Sequence, residues 1–351
     1  MTENQEKEKR RTRWAFYSLS IICVIVAVFF TIPLLMPAKP VELLIYTSNS
    51  AIEKMLAATL PPFTAKTGIK VKYIVPGASG AVVNKVVAEK GAPSADICIA
   101  SLPSMLQAKT ENALEKYVST ESANYPDVFK DKDGYFCGWY AFHTVIAYNP
   151  KYVTDPPKTF NDLLDPAYKG RIAYPDPTTS GNGLRFMCAL IEVMGEEEAF
   201  NFMAELEPSV ARHDSLALGE FLDKGEMWIQ VSDDAAVTTD VLTKGLKDQY
   251  IDITNEGQIA GYVAVAITKG APHLVEAKRL VDFMLSVEGQ GYVTAGYGYP
   301  CRSNMDAAIP ENLRKIWEPL QGKPVIPLDW AEISSKMAGW KQRWLEQIQP
   351  I

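Results

Sequence analysis

Tyr174-Pro175-Asp176-Pro177-Thr178-Thr179-Ser180-Gly181-Asn182-Gly183 lies between a short apolar run, Ile172-Ala173, and an apolar-periodic stretch, Leu184 to Met194, that Gly195 closes. That order spells strand, hydroxyl- and glycine-rich turn, then helix N-terminus. The first backbone N–H groups of a helix have no acceptor within it, and the positive end of the helix dipole adds to their effect. Such a terminus favours an anion. The same residues also suit a plain N-cap, with Ser180 or Asn182 as the capping side chain.

Recurrence strengthens the anion reading. Leu43-Leu44-Ile45-Tyr46 is followed by Thr47-Ser48-Asn49-Ser50 and a helical stretch from Ala51. Val71 to Val75 is followed by Gly77-Ala78-Ser79-Gly80 and a helical stretch through Lys90. Asp96-Ile97-Cys98-Ile99-Ala100 leads into Ser101-Leu102-Pro103-Ser104 and a helical stretch from Met105. In open α/β sheets the loops leaving the carboxyl ends of strands converge on one crevice, so these polar turns are expected to line a shared site. Alternation of strand and helix patterns along the chain predicts an α/β fold with mostly parallel sheets.

Residues 41–351 exceed what a single hydrophobic core usually organises, so two lobes are expected. Two strand-like runs, Tyr140 to Pro150 and Ile259 to Ile267, read as extended crossings between them. Residues 143–261 then form one lobe, and 41–142 plus 262–351 the other. Lobes on two extended hinges can close over a ligand. After the second crossing, Pro272 to Glu288 reads as an amphipathic helix with Leu274, Ala277, Leu280, Val281, Met284 and Leu285 on one side. The tail carries Trp317, Trp330, Trp340 and Trp344 at helical spacing, which suits packing more than a ligand platform.

Trp14 to Met36 is an uncharged run preceded by Lys7, Lys9, Arg10, Arg11 and Arg13. It is long enough to span a bilayer, and the flanking charge places residues 1–13 in the cytoplasm and the chain beyond Lys39 outside. A signal peptide competes with an anchor, but its apolar core is shorter and Met36-Pro37-Ala38 makes a poor cleavage site. One N-terminal transmembrane helix at 14–36 is therefore expected. Without residues 1–13 the net charge moves from −7 to −9. An acidic exterior argues against nucleic acid as a partner, although local backbone N–H groups can still hold a small anion. Cys98, Cys137, Cys188 and Cys301 admit three pairings or buried thiols, and no Cys-x-x-Cys spacing suggests a metal site.

Several segments together resemble the type II extracytoplasmic solute-binding proteins of ABC importers, in the branch of ferric-iron, 2-aminoethylphosphonate and hexose-phosphate binders. They are Phe63 to Val71, Ala95-Asp96-Ile97, Leu163 to Gly170, Asp176 to Gly183, Lys224-Gly225-Glu226 and Gly298 to Ser303. The resemblance implies the two-lobed type II periplasmic-binding-protein fold with two hinge crossings, and an ABC permease as partner. It also implies that Ser48, Asn49, Ser79, Gly80, Thr179, Ser180, Gly181 and Asn182 hold an anionic group. Asp233 and Asp234 would then face the rest of the ligand, bonding sugar hydroxyls or an ammonium group. A helix N-cap is the other reading of that pair.

Iron binders of this branch carry adjacent tyrosines after the Gly-Glu element, whereas Ile229 to Ala235 here contains none. A small phosphorylated or phosphonate anion is thus the expected ligand. Arg185, Arg302, His143 and His213 are further candidates for contact. A sensing subunit for a membrane kinase, a polyamine binder and a ferric-iron binder are alternatives on the same architecture. No cofactor, metal site or catalytic residue is expected, because the chain lacks a Gly-x-Ser-x-Gly elbow, a phosphate-loop lysine motif and a His-Glu-x-x-His pair.

Overall fold

The computed structural model describes residues 41–48, 50–213 and 218–349. The expected anchor at 14–36, the stretch before it and Asn49 lie outside the described residues. Among the described residues no helix is long and apolar enough to cross a membrane.

The first third of the fold follows the strand–turn–helix pattern. Strands β1 (Glu42–Tyr46), β2 (Lys70–Ile74) and β3 (Ile97–Ser101) are followed in turn by helices α1 (Ser50–Thr67), α2 (Ser79–Ala88) and α3 (Leu102–Thr110). β1 pairs in parallel with both β2 and β3. Its Leu43, Leu44, Ile45 and Tyr46 are all buried, as a strand covered on both faces requires. Because the three strands run the same way, the turns at Thr47, Gly77 and Ser101 leave one edge of the sheet together.

Downstream come β4 (Cys137–Tyr148), β5 (Ile172–Ala173), β6 (Val210–Arg212), β7 (Ile229–Asp233), β8 (Tyr250–Asp252), β9 (Ile259–Ile267) and β10 (Tyr299–Pro300). Helices α4 (Gly181–Met194), α5 (Glu196–Leu206), α6 (Leu218–Asp223) and α7 (Asp234–Thr239) lie among them. The chain continues with α8 (Leu274–Leu285), α9 (Val287–Gly291), α10 (Glu311–Trp317) and α11 (Trp330–Gln347). The strands join in the order β2-β1-β3-β9-β4-β7-β5-β6, with β8 and β10 also paired to β4.

Among the named strands parallel pairing is confined to the flanks, β2-β1-β3 and β7-β5-β6, while the middle of the sheet is antiparallel. The two runs expected to be crossings explain this departure from a mostly parallel sheet. β4 pairs with β9 from Cys137 to Thr144 and with β7 from Thr144 to Tyr148. β9 in turn pairs with β3 from Val263 to Ile267. Each long strand thus contacts more than one part of the sheet.

α8 packs on the first part of the chain: the Phe283 ring lies 5.5 Å from that of Phe63, and Tyr117 donates to Asp282 at 2.8 Å. It stops at Leu285, short of the expected Glu288, because Ser286 caps α9 by accepting from the Gly289 N–H. The tail packs on the middle segment. Ile309, Leu313 and Trp317 pack with Val145, Leu218 and Val237. Ile333, Trp340 and Trp344 pack with Phe160, Phe186 and Phe200. The tryptophans therefore serve packing. Cys98, Cys137, Cys188 and Cys301 are buried free thiols, and burial pushes the first three up to about 12.

Candidate functional site

The ends of β1, β2 and β3 bring three serines together. Ser48 Oγ lies 3.3 Å from Ser79 Oγ, which also accepts the Ser101 N–H at 3.1 Å. Ser79 and Gly80 open α2, and neither backbone N–H has an acceptor among the described residues. Thr47 Oγ1, fully buried beside them, also lacks a partner among those residues. The cluster is neutral and built only of hydroxyls and backbone donors.

The Tyr174–Gly183 segment folds as strand end, turn and helix start, with Ser180 as N-cap accepting from Gly183 N–H at 3.4 Å. Asp176 organises the turn: its Oδ1 accepts from Thr178 N–H and Thr178 Oγ1, both at 2.6 Å, and its carbonyl accepts from Ser180 N–H at 2.8 Å. A Cβ on Gly183 would sit 2.0 Å from the Pro175 carbonyl oxygen, so only glycine lets the helix start close onto the loop. The N–H groups of Gly181 and Asn182 remain without an acceptor among the described residues. Thr179 is exposed next to them.

A buried charged network stands beside that helix start. Arg185, on the second turn of α4, donates through Nη2 to Asp233 Oδ2 at 3.0 Å and through Nε to Thr144 Oγ1 at 3.1 Å. Its guanidinium lies 4.5 Å from the Phe142 ring centre, and Nη1 lies 3.7 Å from where a Gly181 Cβ would be. Thr144 also donates to Asn182 Oδ1. Gly261 on β9 makes room for this stack, since a Cβ there would meet Phe142 at 2.4 Å and Arg185 Cδ at 3.2 Å.

The two adjacent aspartates have different places. Asp233 caps α7 by accepting from Ala235 N–H at 3.2 Å. Asp234 is fully buried, with Oδ1 accepting from His143 N–H at 3.0 Å and from Ala235 N–H at 2.8 Å, and Oδ2 bonded to His143 Nδ1 at 2.8 Å. Asp234 therefore stands behind the site and braces β4 against α7. Burial, and next the Asp234 carboxylate, push Asp233 up to about 7 against the pull of Arg185. Its side chain remains 28 % exposed, so water offsets part of that rise. Burial lowers Arg185 somewhat, while the two aspartates hold it up; it stays protonated.

The expected residues thus gather into two sets. Ser48, Ser79 and Gly80 meet at the β1–β3 turns; Thr179, Ser180, Gly181, Asn182, Asp233 and Asp234 meet around the start of α4. Among the described residues no hydrogen bond or ion pair joins the sets directly. Arg302 is held away from both, donating to Glu121 Oε2 at 2.7 Å and Leu285 O at 3.2 Å. His213 lies behind the loop, its Nε2 3.1 Å from Glu207 Oε2. Thr144 and Phe142 were not legible as site residues, because a threonine and a phenylalanine in a long apolar strand look like interior. A cavity of about 1000 Å³ opens elsewhere, between residues 116–137 and β9, and none of these residues lines it.

A mixed α/β sheet whose two long strands link flanks that each end in polar turns defines the class of periplasmic-type binding proteins. The description of bacterial extracellular solute-binding proteins matches residues 92–336, and the chain belongs to that family. It is 24% identical over 292 residues to a putative 2-aminoethylphosphonate-binding periplasmic protein of Salmonella typhimurium, covering 80% of this chain and 84% of the relative. The fold is similar to that of ferric iron-binding protein A of Mannheimia haemolytica in an open conformation, with a TM-score of 0.74, 18% identity and coverage of 87% of this chain and 98% of the other. It is also similar to the periplasmic binding protein AfuA of Actinobacillus pleuropneumoniae, solved with exogenous fructose-6-phosphate, with a TM-score of 0.65, 24% identity and coverage of 88% and 99%. The chain is a solute-binding protein of the ABC-importer type.

Proposed function

We propose that this chain captures a small phosphorylated or phosphonate anion between two lobes and delivers it to an ABC permease, tethered to the cytoplasmic membrane through residues 14–36. In this reading residues 42–142 and 262–308 form one lobe, residues 143–261 and 309–349 form the other, and β4 and β9 are the hinges. The observation that carries it is the start of α4. Gly181 and Asn182 offer two backbone N–H groups without acceptors among the described residues, at a helix dipole's positive end and beside the Arg185 guanidinium. Ser48, Ser79 and Gly80 would complete the anion's shell from the other lobe. A ligand touching both halves favours the closed state because only there are all its bonds made.

The rest of the ligand would meet Asp233. That carboxylate already has Arg185 as a counter-ion, which suits a mixed ligand with hydroxyls or one ammonium group better than a polyamine. Both the aminophosphonate named for the Salmonella relative and the sugar phosphate in the AfuA structure have an anionic end and a hydroxyl- or amine-bearing end.

Thermal unfolding of the chain in 2-aminoethylphosphonate, fructose 6-phosphate, inorganic phosphate, ferric citrate and spermidine tests the reading. A ligand at about 100 times its dissociation constant adds about 2.7 kcal/mol, which raises the melting temperature visibly. Ser180→Leu is expected to weaken the response to the phosphorylated compound by about tenfold or more in affinity, equivalent to at least ~1.4 kcal/mol, while the protein still folds. A shift with spermidine or ferric citrate alone, or an unchanged affinity in Ser180→Leu, would remove the α4 loop from the site.

A further inference from the structure

The Tyr174–Gly183 loop is held from behind by the last helix of the chain, which no reading of the binding turns includes. Lys341 on α11 donates through Nζ to the Thr178 carbonyl oxygen at 3.2 Å. Trp344, one turn further along, is fully buried and donates through Nε1 to Tyr174 Oη at 3.4 Å. Tyr174 Oη donates in turn to Glu207 Oε1 at 2.9 Å, and the His213 ring packs edge-on between Tyr174 and Trp344. The His213 carbonyl closes the arrangement by accepting from Asp176 N–H at 2.7 Å. Both ends of the turn that leads into α4 are therefore fixed by residues far away in sequence.

The charge on Lys341 makes this more than packing. It is half-buried, and among the described residues it pairs with no carboxylate; its one bond goes to a neutral carbonyl. The neighbouring α11 residues Lys336 and Arg343 are instead neutralised, by Glu332 and by Glu196 and Glu197. A positive charge left uncompensated at the loop that starts an anion-favouring helix adds to the field there. α11 also contacts α3, which begins directly after Ser101.

We propose that Lys341 is a positioning residue of the binding site: it sets the Thr178–Gly181 backbone for the anion and supplies an unpaired positive charge behind it. This rests on the reading of the α4 start as the anion site. Lys341 acts through the loop and needs no contact with the ligand.

The test is titration calorimetry of the full chain with 2-aminoethylphosphonate and fructose 6-phosphate, at two salt concentrations, for the wild type, Lys341→Met and Lys341→Arg. The expected result is about a tenfold weaker affinity in Lys341→Met with an unchanged melting temperature and a shallower dependence on salt, and recovery of most of the affinity and salt dependence in Lys341→Arg. Wild type that binds, together with Lys341→Met of equal affinity and equal salt dependence, overturns the role of Lys341 and leaves the anion site standing. A Lys341→Met loss that arginine does not restore, with a lowered melting temperature, also overturns it in favour of plain packing. Wild type that binds neither compound overturns the anion site itself and the inference with it.

Discussion

The two sets of candidate residues are built on opposite physical principles. At the ends of β1, β2 and β3, Ser48, Ser79 and Ser101 share neutral hydrogen bonds, and each can exchange its partner for a ligand oxygen at little net cost. Around the start of α4, Asp234 is locked to His143 in a buried pair and Asp233 to Arg185 in a partly exposed one, and both exist before any ligand arrives. A buried pair is stable only while both members and their hydrogen bonds are present. The first region is therefore adaptable and the second is rigid, so substitutions should affect affinity in one and folding in the other.

Asp234→Ala should break this contrast most severely. It strips His143 N–H and His143 Nδ1 of their partner in a fully buried place and leaves Ala235 N–H only its longer bond to Asp233 Oδ1. Loss of about 3–5 kcal/mol in urea-unfolding free energy is expected; a loss below about 1 kcal/mol would show that water replaces the carboxylate freely and that the region is not rigid.

Asp233→Asn sharpens it through pH. The folded-state value of about 7 lies above the ordinary 3.8, so the folded protein binds more protons than the unfolded chain between those values. Asp233 thus contributes a stability that is present in full below about pH 4 and is lost as pH rises through about 7. Unfolding free energies measured across pH 4 to 7 should fall more steeply in the wild type than in Asp233→Asn. Parallel curves would mean that solvent reaching the exposed part of the side chain cancels the effect.

Ser79→Ala is expected to have the smallest effect on stability, within about 1 kcal/mol, because the group it removes is a neutral, half-buried hydroxyl. Its affinity for the phosphorylated ligand should drop only a few-fold. A stability loss as large as that of Asp234→Ala would erase the distinction between the regions.

Much of the fold was legible because it depends on local patterns. The strand-turn-helix order at Ile172–Met194 and at the first three strands appears in the structure with boundaries close to those read from apolar period and turn residues. The crossing strand at Ile259–Ile267 was legible from its unbroken run, as was most of β4. Antiparallel pairing in the middle of the sheet was not, since a strand's apolar pattern does not encode its neighbour's direction. Of the candidate residues, the local placement was legible: Ser48 and Ser180 stand where a strand gives way to a helix, and Ser79 and Asn182 stand in the first turns of the helices that follow.

By itself, the sequence determined the α/β class, the polar turns at helix starts and the absence of tyrosines after Lys224-Gly225-Glu226, because each is written in consecutive residues. Only the tertiary structure decided that Asp234 turns inward to His143 while Asp233 meets Arg185, and that the tail from Ile309 packs on the middle segment. It alone decided, too, that Lys341 supports a loop more than 150 positions before it. These are contacts between segments remote along the chain. Their partners are selected by which faces the sheet brings together, and no local period or turn signal carries that information.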